Sequence, residues 1–283
     1  SHQNFMNLIP LSIAKKCKVP VRISHSHNNY KASSKLKEVQ RIAFRTVIRH
    51  FATECLACSQ PAGRWLYGSS FGKHINDRVV HNAINTNLFR FDVHTREKLR
   101  KSLGIEDKFV QIHIGMFSKQ KNHLYLFEVF SEFHKITPES VLLLIGDGKE
   151  RNLIEERIDR LGLKKEVIVL GVRRNVHDYL QAADAFVFPS LHEGLPVVVV
   201  EAQTSGLQCF VSAEAVPREV DLNDDVKFLS IRLPPRKWAE AIRSSERFED
   251  RTNAYQRAVS GGYAIDKEAE KLTEFYLEKS GGC

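Results

Sequence analysis

With 283 residues, of which 42% are hydrophobic and 27% charged, the chain is long enough for one large domain or for two. Its five cysteines are sparse and odd in number, which argues against a disulfide framework and fits a reducing cytoplasm. The net charge of +8 is concentrated in residues 1–100, which hold 17 basic and five acidic residues. No nucleic-acid recognition motif accompanies this charge, so a nucleic-acid partner is not expected.

The first 90 residues alternate weakly between strand and helix patterns. VPVRIS (19–24) predicts a strand that ends at His25-Ser-His27, and ECLACS (54–59) predicts a second strand. The stretch 79–91 is typical of a final short strand followed by a crossover into a second domain.

Residues 31–50, between the first two strands, have the pattern of a basic amphipathic helix. Arg41, Arg45 and Arg49 recur at every fourth position, with apolar residues between them. Two interpretations remain open. The arginines are either a solvated helix face or a surface that attracts an anionic membrane or a diphosphate-bearing acceptor.

Cys55 and Cys58 form a Cys-x-x-Cys pair. A zinc site would need a second pair of ligands at a suitable spacing, and the sequence offers none. We therefore expect two reduced cysteines in a buried strand.

From residue 105 onward, apolar β-branched runs alternate regularly with helical segments, which predicts a parallel sheet covered on both faces. The predicted strands are 109–115, 141–146, 167–171, 185–189 and a closing strand at 208–212.

The segment 196–205 is ambiguous, because its four valines favour a strand by propensity. Pro196 suits a first helical turn and Gly206 suits a helix stop. A strand here would also leave no crossover helix between its neighbours, so we predict a buried helix.

Ligands bind open parallel sheets at the carboxyl ends of the strands, where helix N-termini point. The loops at those ends contain Lys119, Lys121, Arg173, Arg174 and Glu193. Cationic side chains near helix N-termini favour a phosphorylated ligand. The loop IGDGKE lacks the third glycine of a dinucleotide fingerprint, which argues against a dehydrogenase.

The stretch FPSLHEGLPVVVVEAQTSGLQCFVS resembles the E-x7-E signature of retaining glycosyltransferases of family 4, which have the two-domain GT-B fold. GMFSKQKNH, LLLIGDG and VLGVRRNVHDYLQAADAFVFPS resemble loops of the same family's nucleotide-binding domain, and the likeness is greatest to bacterial capsular and exopolysaccharide glycosyltransferases. The resemblance implies an α/β, GT-B-like fold with two Rossmann-like, doubly wound parallel-sheet domains. The expected ranges are 1–90 for a partial acceptor-side domain and 91–265 for a nucleotide-sugar-binding domain. The amphipathic pattern of DKEAEKLTEFYLEKS predicts a C-terminal helix, in the range 266–283.

The resemblance also implies three catalytic residues. Lys121 matches the lysine that contacts the donor diphosphate, and Glu193 matches the first glutamate of the signature, near the donor sugar. His27 matches the N-domain histidine that faces this sugar, although the sequence leaves His25 open. Glu201 matches the glutamate that binds the ribose hydroxyls, a task that suits two carboxylate oxygens.

Other donor contacts are expected from the surrounding loops, at Gly115, Met116, Gly146, Asp147, Arg173, Gly194 and Leu195. The last two would present backbone N–H groups to the diphosphate or sugar. No Asp-x-Asp motif lies at a strand end, so cationic side chains and helix N-termini would stabilise the leaving diphosphate. We therefore expect neither a metal nor another cofactor.

Two departures from the family pattern bear on activity. The family has Gly-Arg five residues before the lysine, and this chain has Met116 there. The change removes a charge-assisted contact worth on the order of a few kcal/mol. The family's first strands, with a glycine-rich acceptor loop, have no counterpart before Ser1. We therefore expect an incomplete N-terminal domain with an exposed sheet edge.

The expected activity is transfer of a sugar, with retention, from a nucleoside-diphosphate sugar such as a UDP-sugar. The expected acceptor is a glycan or a polyprenyl-diphosphate-linked glycan, in capsule or exopolysaccharide synthesis. The expected location is the cytoplasm, with peripheral contact at the inner face of the cytoplasmic membrane. A catalytically degenerate nucleotide-sugar-binding paralogue or subunit and a sugar-nucleotide epimerase are the alternatives.

Overall fold

The computed structural model describes residues 1–2, 4–27, 35–222, 225–244 and 251–281. The chain divides into two compact units, which we treat separately. The first unit comprises Ser1–Ile84, Glu193–Leu195 and Gly262–Cys283, and the second comprises Asn85–His192 and Pro196–Gly261. In contrast to the ranges expected from the sequence, the C-terminal helix and Glu193–Leu195 therefore group with the first unit.

The first unit has a three-stranded parallel sheet in the order β1-β2-β3. The strands are β1 (Ile23–Ser26), β2 (Glu54–Ala57) and β3 (Asp77–Val79). Its helices are α1 (Leu8–Lys16), α2 (Lys35–Phe51), α3 (Gln60–Tyr67) and α11 (Ile265–Ser280). The first strand begins four residues later than its predicted start, and the second begins as predicted.

Helix α3 was not predicted, and its ends explain why it forms. The Ser59 hydroxyl accepts a hydrogen bond from the backbone N–H of Ala62, which caps the helix. At the other end, the Tyr67 hydroxyl donates to a buried acceptor set that includes the carbonyls of Ser24 and Leu56. The helix is thereby fixed against both neighbouring strands.

The predicted basic helix is confirmed as α2, and part of its charge serves the fold. Arg49 pairs with both carboxylate oxygens of Asp77, at 3.0 and 3.1 Å, and Arg45 donates to the carbonyl of Trp65. The Arg41 side chain lies outside the described residues. Arg45 and Arg49 are therefore not simply a solvated face.

The expected burial of the two cysteines in the first unit is confirmed. Cys55 and Cys58 are both buried free thiols, and burial raises the pKa of Cys55 to about 12. Cys58 lies just beyond the end of β2 rather than inside it.

Helix α11 was predicted from its sequence, and it belongs to the first unit through charged and aromatic contacts. Lys279 lies 3.3 Å from the Glu54 carboxylate, and Arg78 lies over the Phe275 ring at 4.8 Å from its centroid. A parallel bridge between Ile84 and Ala264 brings the chain to the start of this helix.

The second unit has a six-stranded parallel sheet in the order β6-β5-β4-β7-β8-β9. Its strands are β4 (Phe109–Ile114), β5 (Ser140–Ile145), β6 (Val167–Gly171), β7 (Ala185–Phe188), β8 (Gln208–Ser212) and β9 (Lys227–Leu229). The prediction that residues 208–212 close the sheet was wrong, because β9 pairs beyond β8. This last strand has three residues, too few to show a period.

Helices connect these strands. They are α4 (Val93–Leu103), α5 (His123–Ile136), α6 (Arg151–Arg160), α7 (Val176–Ala182), α8 (Val197–Thr204), α9 (Pro235–Arg243) and α10 (Ala254–Ser260). The predicted helix at 196–205 is confirmed as α8. Val199 and Val200 are fully buried in it, and the strands on either side pair in parallel.

Buried arginines tie the helices of the second unit together. Arg251, which is 6% exposed, donates to the carbonyls of Leu180, Ala183 and Ser205. Burial lowers the pKa of Arg251 to about 9, below its usual value. A buried guanidinium with this many carbonyl partners satisfies its donors, which offsets the cost of burying the cation.

No helix among the described residues is both long and apolar enough to cross a membrane.

Candidate functional site

The order of the six strands indicates where a ligand would bind in the second unit. The sequence-first strand, β4, lies at the centre, with β5 and β6 on one side of it and β7 on the other. The connections therefore change direction between β4 and β7. In open parallel sheets this switch point creates a crevice at the carboxyl ends of the strands. The loops that follow β4 and β7 are thus the candidate site.

Lys121 follows β4 in a short 3₁₀ turn, Lys119–Lys121, and its side chain lies back along the end of that strand. A Cβ placed on Gly115 would be only 3.2 Å from the Lys121 methylenes. The Lys121 ammonium lies 4.6 Å from the centroid of the Phe188 ring at the end of β7. This cation–π contact holds the charge beside the switch point.

The loops after β4 and β7 are joined directly. The backbone N–H of Leu191 donates to the carbonyl of Gln120, and the Gln120 side chain donates to the carbonyl of His192. The Asn122 side chain donates to the carbonyl of Pro189. These bonds fix the position of the Lys121 turn relative to the end of β7.

Gly146 and Gly148, in the loop after β5, pass very close to the loop after β4. A Cβ on Gly146 would overlap the carbonyl of Gly115, and one on Gly148 would overlap the carbonyl of Phe117. Both glycines have positive φ, at +146° and +159°. Close approach and backbone conformation together require glycine at these positions.

The remaining predicted residues of these loops lie toward solvent. Met116 is 64% exposed, and Arg173 is exposed in the loop after β6. Asp147 pairs with Arg151 at 3.0 Å and accepts a hydrogen bond from the backbone N–H of Gly148. Asp147 therefore shapes its own loop, and any ligand contact at this residue would compete with Arg151.

Glu201 lies in the second turn of α8, and it is partly buried. Burial raises the pKa of Glu201 above its usual value. The buried neighbours on this helix are Val199, Val200 and Ala202, so the carboxylate borders the core. A carboxylate at such a border gains from hydrogen-bond donors that a ligand brings.

Glu193, Gly194 and Leu195 group with the first unit, although the residues on either side of them belong to the second. Glu193 is 7% exposed and Leu195 is 8% exposed, so both side chains are buried. The predicted roles of these three residues remain predictions.

His25 and His27 differ clearly in their surroundings. His25 is on β1 and buried, and burial together with the nearby His27 and His2 lowers its pKa to about 3. His27 follows the end of the strand and is only partly buried, with its Nε2 2.8 Å from Nδ1 of His2. Of the two candidates that the sequence left open, His27 is the more accessible to a ligand.

Sequence reasoning missed Phe188, Gln120 and Asn122, which position Lys121. Phe188 lies in the predicted strand 185–189, and Gln120 and Asn122 are the neighbours of Lys121, so their locations were visible in the sequence. The partners were not, because they depend on how the loops after β4 and β7 meet. His2, beside His27, was missed as well.

The sheet order and the glycine-lined cationic turn define the second unit as Rossmann-like. Residues 95–262 match the family described as glycosyl transferases group 1, and the chain belongs to that family. The family resemblance stated from the sequence is therefore confirmed.

Several curated proteins are similar to the chain. It is 34% identical over 246 residues to a putative glycosyltransferase, EpsF, from Bacillus subtilis, covering 86% of this chain and 64% of that protein. It is 29% identical over 216 residues to UDP-Gal:alpha-D-GlcNAc-diphosphoundecaprenol alpha-1,3-galactosyltransferase of Escherichia coli, covering 71% of this chain and 54% of that protein. The capsular polysaccharide biosynthesis glycosyltransferase CapH of Staphylococcus aureus is 26% identical over 294 residues, which is 99% of this chain and 76% of CapH. The chain thus spans between half and two thirds of the length of the first two relatives.

Solved structures share the fold. HepE from Anabaena, in complex with UDP, superposes with a TM-score of 0.78 at 20% identity, over 96% of this chain and 76% of HepE. Sucrose-phosphate synthase from Thermosynechococcus elongatus gives 0.73 at 19% identity, over 98% of this chain and 73% of that one. The predicted fold class, an α/β GT-B fold with parallel sheets in two units, is confirmed.

Proposed function

We propose that the chain carries out sugar transfer from a nucleoside-diphosphate sugar to a glycan or a polyprenyl-diphosphate-linked glycan, in capsule or exopolysaccharide synthesis. The observation that supports this most strongly is the Lys121 turn, a fixed cation on a glycine-lined crevice at the switch point. A compact ammonium in this place suits the diphosphate of a donor. The donor is a UDP-sugar, as the name of the Escherichia coli relative and the UDP complex of HepE suggest.

In the proposed reaction the bond from the anomeric carbon to the diphosphate oxygen breaks, and the acceptor oxygen forms a bond to the same face of that carbon. The acceptor proton passes to the leaving diphosphate, so charge and atoms balance. Lys121 stabilises the charge that develops on the diphosphate, and Glu201 accepts hydrogen bonds from the ribose hydroxyls. Retention of configuration is part of the proposal and follows from the family resemblance.

The roles of Glu193 and His27 are proposed from the same resemblance. Glu193 would support an oxocarbenium-like transition state, and His27 would contact the donor sugar. Gly194 and Leu195 would present backbone N–H groups to the donor. No metal or other cofactor takes part in the proposed reaction, since the sequence offers cationic side chains and no Asp-x-Asp pair for the diphosphate.

Peripheral contact with a membrane is proposed for a polyprenyl-linked acceptor. Helix α2 carries exposed Ile42, Phe44 and Val47, which are 52%, 40% and 40% exposed, beside its basic residues. Exposed apolar side chains on an amphipathic helix bind the interfacial region of a membrane. Arg45 and Arg49 do not contribute to this proposal, because they bond Trp65 and Asp77.

Calorimetry with UDP, followed by a transfer assay with labelled UDP-sugars and membrane-extracted acceptors, tests the proposal. We expect UDP to bind the unaltered chain and Lys121→Ala to weaken binding by more than tenfold, because a hydrogen bond to a charged group contributes about 1.5–3 kcal/mol. Lys119→Ala is the matched control, since Lys119 is an exposed lysine of the same turn. Equal effects of the two substitutions would contradict the assigned site.

A second candidate function is a nucleotide-sugar-binding subunit without turnover. The observation that favours it is Met116, an exposed and uncharged side chain where the family has a Gly-Arg pair. UDP binding without transfer or donor hydrolysis would support this alternative. Formation of an epimeric UDP-sugar without any acceptor would point instead to an epimerase.

A further inference from the structure

Three histidines meet at the end of β1 in the first unit. One ring nitrogen from each of His2, His25 and His27 lies within 4.8 Å of the others. The rings are packed closely, with centroids 5.0 Å apart for His2 and His25, 5.1 Å for His2 and His27, and 4.1 Å for His25 and His27. This cluster, called the histidine triad below, has no part in the proposed transfer except for His27.

The strand explains two members of the histidine triad. His25 and His27 are two residues apart at the end of an extended segment, and side chains at such positions point to the same face. Only Ser26 separates them, and its side chain points away to bond the carbonyl of Ala62. The sequence His-Ser-His in a strand therefore presents two imidazoles side by side.

The third member is held by the backbone and by buried polar side chains. The N–H of His25 donates to the carbonyl of Ser1, and the Ser1 hydroxyl donates to the Asn7 side chain at 2.7 Å. Asn7 is fully buried and donates in turn to the hydroxyl of Ser24. The residue preceding His2 is thus fixed against β1, which brings the His2 ring to the other two.

His25, the buried member of the histidine triad, has a ring nitrogen that is available to a ligand. His25 is 8% exposed, and its Nε2 is buried with no hydrogen-bond partner among the described residues. A buried polar atom of this kind costs free energy unless something binds it. An imidazole nitrogen that carries no proton has the lone pair that a metal ion binds.

We propose that the histidine triad binds a transition-metal dication of the zinc class. Imidazole nitrogens are ligands that zinc favours, and three histidines with one open position form a common tetrahedral set. The atoms need only small movements, because the His2 and His27 nitrogens that now share a hydrogen bond are 2.8 Å apart. His27 also bonds the side chain of Asn82, and such outer partners orient ligating histidines.

Zinc titration of the full chain tests this site, with Co²⁺ as the spectroscopic probe. We expect one equivalent of Zn²⁺ to bind, and His25→Gln and His27→Gln each to weaken it roughly tenfold or more. His94→Gln is the matched control, because His94 is exposed on α4 and is not a member of the histidine triad. Retained affinity in both triad variants would overturn the proposal.

Co²⁺ distinguishes this site from binding by a thiol such as the exposed Cys17. A site made of three imidazoles gives tetrahedral or five-coordinate d–d absorption without a sulfur-to-cobalt charge-transfer band. A strong charge-transfer band that survives in His25→Gln would place the metal on a cysteine and overturn the proposal. Circular dichroism of both variants checks that the fold is retained.

The metal test is independent of sugar transfer. Its readouts are stoichiometry, affinity and the cobalt spectrum, so a chain without any transferase activity would still report on the histidine triad. Conversely, a chain that binds no zinc leaves the UDP experiments unaffected.

Discussion

Lys121 lies so close to Gly115 that position 115 has no room for a side chain without displacing the lysine: a Cβ there would be 3.2 Å from the Cγ, Cδ and Cε atoms of Lys121. We expect Gly115→Ala to shift the lysine by a few tenths of an ångström. UDP affinity should fall several-fold, because a charge-assisted hydrogen bond depends on distance and angle. Calorimetry measures the change, and unaltered affinity would mean that this lysine does not contact the nucleotide.

Gly146 should be far less tolerant of substitution. Its Cβ would overlap the Gly115 carbonyl, and its φ of +146° is unfavourable for other residues. We expect Gly146→Ala to lower the free energy of unfolding by more than ~3 kcal/mol.

Gly162→Ala is the control for this effect. Gly162 also has positive φ, at +69°, but its Cβ would meet no atom within 4 Å. Its cost should therefore be that of the backbone conformation alone, about 1–2 kcal/mol. Urea denaturation of the two variants measures both, and equal costs would show that close approach at Gly146 contributes nothing.

Replacement of Glu201 by glutamine should separate binding from stability. Burial raises the pKa of this carboxyl, so the charged form makes the fold less stable at any pH above the carboxyl's ordinary range. Glu201→Gln should therefore leave the melting temperature unchanged or slightly higher at pH 7. Affinity for UDP should fall roughly tenfold, or about 1.4 kcal/mol, if the carboxylate binds the ribose hydroxyls.

Glu97→Gln serves as the control, because Glu97 is exposed on α4. Glu97→Gln should change neither the melting temperature nor the affinity for UDP. A loss of melting temperature in Glu201→Gln, with UDP affinity unaltered, would assign Glu201 a structural role.

Acid should destabilise the second unit through two buried histidines. His113 and His123 are 0% and 1% exposed, and burial lowers the pKa of His123 to about 4 and that of His113 well below its usual range. In the unfolded chain both titrate near ~6.5, so the unfolded state takes up protons first as the pH falls. Stability should therefore fall below about pH 6.5, and for His123 the fall should continue to about pH 4.

His123→Gln removes one of these titrations. The variant should lose less stability between pH 7 and pH 5 than the unaltered chain, by ~2 kcal/mol. His74→Gln, at an exposed histidine, should not change the slope. Denaturant midpoints at pH 7 and pH 5 measure this loss of stability. An equal loss in all three proteins would contradict the assignment of the acid effect to His123.

Met116→Arg tests whether the absence of a cation at position 116 limits turnover. The side chain at this position is exposed, so an arginine can be accommodated without disturbing the core. If the missing cation limits catalysis, turnover should rise by a factor on the order of ten to several hundred, because one charge-assisted contact stabilises a transition state by a few kcal/mol. Met116→Gln, which adds length without charge, should not raise turnover.

The sequence predicted the regular parts of the fold because their patterns are local. The strands of the second unit and the buried helix α8 follow from runs of apolar residues and from Pro196 and Gly206, which bracket α8. Strand β9 and helix α3 were missed, since one is too short to show a period and the other depends on a cap at Ser59 and the buried Tyr67 hydroxyl.

The site was predicted less completely than the fold. Lys121 and Glu201 were named from the family resemblance, and their roles remain predictions. Phe188 and Gln120 could not be named, because their contacts join segments about 70 residues apart in the sequence. His2 was likewise beyond reach, since its place beside His27 depends on Ser1 and Asn7.

Main-chain hydrogen bonds join the loops at the switch point of the second unit. Backbone hydrogen bonds from Phe117 to Asp147 and from Leu191 to Gln120 set the positions of three loops, independently of most side chains there. Substitutions at the exposed positions of these loops therefore leave the backbone of the crevice in place. Substitutions at those exposed positions would change the side chains around the crevice without changing the path of its main chain.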